Sequence, residues 1–187
     1  LILFHNMTDT NTNTNTDTDT SEQQQNENEN DQWFQSTVQK YGFDTGDIIL
    51  YEHTNTYKKW TDLIFNTMDT IISFATRSKY THIAMIIKDP SWRPDLKGYF
   101  IIESSWEMYP DAEDKEIKIG VELVPLKRVL SDNRINKLYY RKLTCERNDD
   151  FYKKLLDAQS IAHNRPYDFI LTDWVKALFQ LHIGNVR

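Results

Sequence analysis

A chain of 187 residues, 39% of them hydrophobic, is long enough to close one packed core and too short for two of ordinary size. Its net charge of -6 sits in residues 1–32, where Asp9, Asp17, Asp19, Glu22, Glu27, Glu29 and Asp31 give seven negatives with no Lys or Arg, leaving the rest at +1. A nearly neutral body without a dense basic stripe argues against a nucleic-acid partner, and a single cysteine, Cys145, excludes an internal disulfide framework or a thiol-rich metal site.

The apolar start Leu1-Ile2-Leu3-Phe4 is too short for a signal h-region or a membrane span. An intracellular setting is the expectation. The chain begins with Leu, and Met7 is its first methionine, so residues 1–6 are read as flanking sequence or the product of a cut. From residue 8 to 31 the sequence is almost all Thr, Asn, Asp, Gln and Glu, a composition with almost nothing to bury, and residues 1–32 are expected to be a disordered tail. One domain is expected over residues 33–187.

Gly46-Asp47 reads as a turn feeding a strand through Ile48-Ile49-Leu50-Tyr51. Over residues 56–77, Trp60, Leu63, Ile64, Met68, Ile71, Ile72 and Ala75 recur at spacings of three and four, predicting an amphipathic helix or two short ones. A polar turn, Ser78-Lys79-Tyr80-Thr81, then opens into His82 and the apolar run Ile83-Ala84-Met85-Ile86-Ile87, a second strand reaching Lys88. A third is predicted over residues 98–103, and a fourth through Gly120-Val121-Glu122-Leu123-Val124. Pro125 is placed to start a short helix through Val129-Leu130, and a fifth strand is expected over residues 137–143.

Residues 149–163 read as a helix capped by Asn148 or Asp149, with Phe151, Leu155, Leu156 and residues 158–162 facing inward. Arg165-Pro166-Tyr167-Asp168 breaks it. A last amphipathic helix is predicted over residues 169–183, carrying Ile170, Trp174, Leu178 and Leu181. Lys176 is its one clear cation, so attraction to an anionic membrane surface is weak and core packing is the reading. The expected class is α+β, with a small, mainly antiparallel sheet and helices packed on it.

A histidine at the mouth of a buried strand is where a sheet can present a base, because imidazole changes charge near neutral pH. If the strands carrying His82 and Glu103 are neighbours, Glu103 can hold the ring's tautomer as the acid of a triad does. Asp47 is placed to shape the site, although Gly-Asp before a strand is also ordinary turn chemistry. His53, His82, His163 and His182 form no paired metal-ligand motif, so neither metal nor cofactor is expected.

Gly46-Asp47-Ile48-Ile49-Leu50, the stretch from Ser78 to Ile86, Ile102-Glu103-Ser104-Ser105, the stretch from Gly120 to Leu126 and Arg165-Pro166-Tyr167-Asp168-Phe169 occur in an order that resembles the circularly permuted branch of the NlpC/P60 superfamily. That branch holds YiiX/YaeF-type papain-like amidases and poxvirus relatives, with lecithin:retinol acyltransferase-like enzymes further off. The resemblance implies a permuted papain-like fold and cysteine hydrolase chemistry on a peptide, another amide or a lipid ester. It makes His82 the general base and Glu103 the third polar residue, and puts Tyr167 in the segment leading to the nucleophile, with a possible part in shaping the site. In the family that nucleophile is a cysteine opening a later helix, and no cysteine follows Cys145 here. Cys145 has acidic neighbours that disfavour a thiolate, so a nucleophile missing from a truncated fragment is the expectation, and an inactive binding relative is the alternative.

Overall fold

A computed structural model describes residues 2–5, 20–53, 80, 82–105, 109–132 and 135–166. The helices expected over residues 56–77 and 169–183, together with Tyr167 and Asp168, lie outside the described residues. The described chain is α+β. Its elements are β1 (Ile2–His5), α1 (Thr20–Tyr41), β2 (Ile48–His53), β3 (His82–Lys88), β4 (Tyr99–Ser105), β5 (Gly120–Pro125), α2 (Leu126–Leu130), β6 (Ile135–Arg141) and α3 (Asp149–Ala162).

Among the described residues the strands form one six-stranded sheet in the order β1-β6-β2-β3-β4-β5, and every neighbouring pair is antiparallel. Successive side chains of a strand point to opposite faces. Ile49 and Tyr51 of β2, Ala84 and Ile86 of β3, Ile101 of β4, Val124 of β5 and Leu138 and Tyr140 of β6 therefore line one face. There they form the main core with Phe34 and Val38 of α1 and Leu126, Val129 and Leu130 of α2. The other face packs Ile87, Phe100 and Leu123 with Ala112, and Met85, Ile102 and Leu155 join at the margin. Burial on both faces explains why β3 reads as a nearly unbroken apolar run.

Gly46 turns the chain into β2 at φ +89, and a Cβ there would lie 2.7 Å from Leu143 Cδ2 and 2.9 Å from Phe151 Cζ. Only glycine meets both demands. The last strand ends at Arg141 rather than Leu143, because the Leu143 amide donates to the Asp47 side chain instead of the ladder; it gains residues at its start, where Ile135 pairs with His53. Pro125 stands at the N-cap of α2.

Asn148 caps α3, its side chain accepting from the Phe151 amide at 3.0 Å, and Asp149 and Asp150 suit the positive end of the helix dipole. Its inward stripe is narrower than the sequence pattern implies. Leu155 and Ala162 are half-buried and Gln159 is buried, whereas Leu156, Ala158 and Ile161 are exposed. One stripe at spacings of three and four is all that a single sheet face can cover.

Residues 20–32, assigned by composition to the tail, lie in α1. Helical hydrogen bonds are local, so the helix runs back from the packed residues Trp33, Phe34 and Val38 through residues 28–32, which remain exposed. Lys127 of α2 meets Asp31 there. Residues 2–5 add a sixth strand, β1, at the edge beside β6. No described helix is long and apolar enough to cross a membrane.

Candidate active site

His82 opens β3 and pairs in register with Tyr51 of β2, whose ring lies 5.1 Å away. Glu103 sits on β4, immediately beyond the pair Met85 and Ile102. Alternation puts His82, Ala84 and Ile86 on the face that also carries Ile101 and Glu103, so a diagonal contact between neighbouring strands joins ring and carboxylate. His82 Nε2 lies 2.7 Å from Glu103 Oε2, with the imidazole 17% and the carboxylate 1% exposed. A charge-assisted hydrogen bond of that length, shielded from water on the acid side, fixes the ring's orientation.

With the Nε2 hydrogen directed at the carboxylate, the lone pair of the neutral ring resides on Nδ1. That is the arrangement in which a carboxylate orients an imidazole and stabilises the imidazolium formed when the ring takes up a proton. Of the residues singled out from the sequence, the fold brings these two together.

Asp47 is placed elsewhere. Its backbone pairs with Ile86, four positions along β3 from His82, which at the usual rise is roughly 13 Å. The carboxylate is fully buried and accepts from the Tyr140 hydroxyl at 2.6 Å, the Leu143 amide at 2.9 Å, the Asp44 amide at 3.0 Å and Arg147 Nη2 at 2.6 Å. Burial, then the hydrogen bond to Asp47, pushes the Tyr140 phenol well above its ordinary range. Asp47 ties β2 to β6 and to the loop before α3; it does not reach the ring. Tyr167 lies outside the described residues.

Cys145 is exposed and follows the end of β6, where Arg141 pairs with Ile48. His82 stands at the Tyr51 end of the same β2 strand. The thiol and the imidazole therefore occupy opposite ends of the sheet. Among the described residues no three His, Cys, Asp or Glu side chains converge as metal ligands.

No protein-family model matches this chain, and no curated protein matches it. The chemistry of the site rests on its own geometry.

Two polar groupings escaped the sequence reading. Glu122 of β5 is buried and lies directly opposite Glu103 in register. Its signal was legible: in Gly120-Val121-Glu122-Leu123-Val124 the glutamate holds the same phase as the core residue Val124. The second grouping joins distant segments, with Glu113 receiving Trp92 Nε1 at 2.9 Å and lying 3.2 Å from His163 Nδ1. Nothing local in the sequence announces it. On the face opposite His82, a groove of about 370 Å³ runs between the sheet and α3, lined by Ile48, Ile83, Met85, Ile102, Val121 and Leu155 among others. Its lining is almost wholly apolar and does not present the imidazole.

Proposed function

We propose that this protein is a thiol-dependent hydrolase of the permuted, papain-like NlpC/P60 kind, in which His82 is the general base and Glu103 the residue that orients it. The observation that carries the reading is the 2.7 Å contact between His82 Nε2 and a carboxylate with 1% exposure. A base at the first residue of one strand and its acid on the adjacent antiparallel strand support the family resemblance.

In this mechanism Nδ1 takes the proton of a thiol and the thiolate attacks the carbonyl carbon of an amide or ester. The imidazolium returns the proton to the leaving amine or alcohol as the carbon–heteroatom bond breaks. Water, deprotonated by the same ring, then cleaves the acyl-thioester, releasing the acid and restoring the thiol. The reading requires a thiol that is not among these 187 residues, because Cys145 is the one cysteine of the sequence and stands at the far end of the sheet.

That position of Cys145 also favours a second reading, a protein that keeps the fold to bind and does not catalyse. The experiment is electrophile labelling of the full-length protein at neutral pH. Labelling of a thiol other than Cys145, abolished in His82→Ala, is the expected result. Labelling that persists in His82→Ala, or the absence of any such thiol, rejects the hydrolase reading. Peptidyl and phospholipid substrates then divide the amidase from a lipid acyltransferase or thioesterase, since acyl-thioester formation from lipid alone excludes the amidase.

A further inference from the structure

The contact with Glu103 sets the direction of one nitrogen of the His82 ring, and it leaves the plane of the ring open. A hydrogen bond keeps most of its strength over some tens of degrees, whereas a base that takes a proton from a set position has to be aimed within roughly 10–20°. The second bound on the plane comes from the other neighbouring strand. Tyr51 of β2 stands directly opposite His82 in register, and the two rings lie with centroids 5.1 Å apart and planes tilted by 36°. That separation is inside the roughly 4.5–7 Å over which aromatic rings attract one another.

The Tyr51 ring is itself held. It is 1% exposed and belongs to the main core with Ile49 and Tyr140, and on its far side it pairs in register with Leu138 of β6, which is 2% exposed. A close-packed interior gives such a ring little room to move. The imidazole thus stands between two strands that fix different things: β4 supplies the carboxylate at its Nε2, and β2 supplies an aromatic wall against the ring.

We propose that Tyr51 is a positioning residue for the His82 base: its ring is the platform that sets the plane of the imidazole, while Glu103 sets the nitrogen that carries the hydrogen. The Nδ1 lone pair is then aimed in one direction before a thiol and a carbonyl arrive, and the reaction spends nothing on orienting it. The purpose of the platform rests on the hydrolase reading; the order of the ring is measurable without it.

The experiment uses the full-length protein with histidine labelled in carbon-13 and nitrogen-15, comparing wild type, Tyr51→Leu and Tyr51→Phe under conditions where each is folded. In Tyr51→Leu the order parameter of the His82 Cε1–H bond falls from the rigid range near about 0.85 to about 0.6 or below, and His82-dependent thiol labelling slows about tenfold or more. Tyr51→Phe keeps the ring and restores both. A role in core stability alone lowers the melting temperature of Tyr51→Leu and moves neither. Wild-type order and labelling in Tyr51→Leu overturn the proposal, and so does a loss in Tyr51→Phe as large as that in Tyr51→Leu. The Nε2–H tautomer, read from the nitrogen shifts, persists in both variants because Glu103 sets it; its disappearance in Tyr51→Leu means that the strand pairing has parted, and overturns the assignment. Should Tyr51→Leu fail to fold, the other two proteins decide: a rigid imidazole with nuclear Overhauser contacts to the residue 51 ring, in wild type and Tyr51→Phe alike, upholds the platform, and a mobile imidazole or missing contacts overturn it. Absence of any labelled thiol besides Cys145 in the wild type defeats the hydrolase reading and leaves the order parameters to decide the platform, so the two failures are distinct.

Discussion

Arg147 and Asp47, a hundred positions apart in sequence, are joined by a 2.6 Å contact between Nη2 and Oδ1. The same guanidinium donates through Nε to the Thr45 carbonyl at 2.6 Å. Replacing Asp47 by Ala removes the closer of the two carboxylates on this cation, leaving Asp44 Oδ2 at 3.5 Å from Nε, and takes away the acceptor of the Tyr140 hydroxyl and the Leu143 amide. Breaking a buried pair from one side costs about 3–5 kcal/mol, and urea unfolding of Asp47→Ala should show a loss of that order. The His82 titration should not move in Asp47→Asn, since the two residues lie four strand positions apart. A stable Asp47→Ala with an altered His82 midpoint would restore Asp47 to the site.

Lys118 reaches Asp111 at 2.6 Å and Asp114 at 2.9 Å, and it gives the protein a pH dependence at both extremes. Burial pulls the ammonium down, but the hydrogen bonds to Asp111 and Asp114 outweigh it and its pKa is raised. A raised folded pKa means stability that is full below the unfolded value of about 10.5 and is lost as pH climbs through the folded one. Asp114 is the reverse: the hydrogen bond from Lys118 lowers its pKa, so its contribution is present above about 3.8 and disappears as pH falls through the folded value. Lys118→Met should therefore flatten the stability profile at both ends in urea melts at stepped pH. An unchanged acid limb would mean that Asp114 gains nothing from Lys118.

What the sequence announces and what it conceals divide along the range of the interactions. The start of β3 at His82 and the capping of α3 by Asn148 are local matters of apolar period and side-chain chemistry, and both are legible from a few consecutive residues. The His82 and Glu103 contact is one step further, legible because sequential strands tend to be neighbours. The edge strand β1 is not, since its pairing with β6 joins residues more than a hundred positions apart. Asp47 reads as turn chemistry because Tyr140 and Arg147, which occupy its carboxylate, come from the other end of the chain. On α3 the apolar positions outnumber those a single sheet face can cover, and only packing decides that Leu155 turns inward while Leu156 and Ile161 remain in solvent.

Cys145 offers the most direct test of where the chemistry lies. It is exposed and lies four residues beyond Arg141, which pairs with Ile48, whereas His82 pairs with Tyr51. Three strand positions alone separate those ends by roughly 10 Å, beyond the hydrogen-bond reach of about 3 Å that a base needs to take a proton. Nor can Cys145 readily swing across, because Arg147, two residues on, is held by Asp47 and the Thr45 carbonyl, and Asn148 starts α3. Cys145→Ser should change stability by less than about 0.5 kcal/mol. In the full-length protein it should also leave every His82-dependent thiol modification intact, read as adduct mass at neutral pH. If Cys145→Ser instead removed that adduct, Cys145 would be the nucleophile, and the loop from Arg141 to Asn148 would have to leave its anchorage on Asp47 to deliver it.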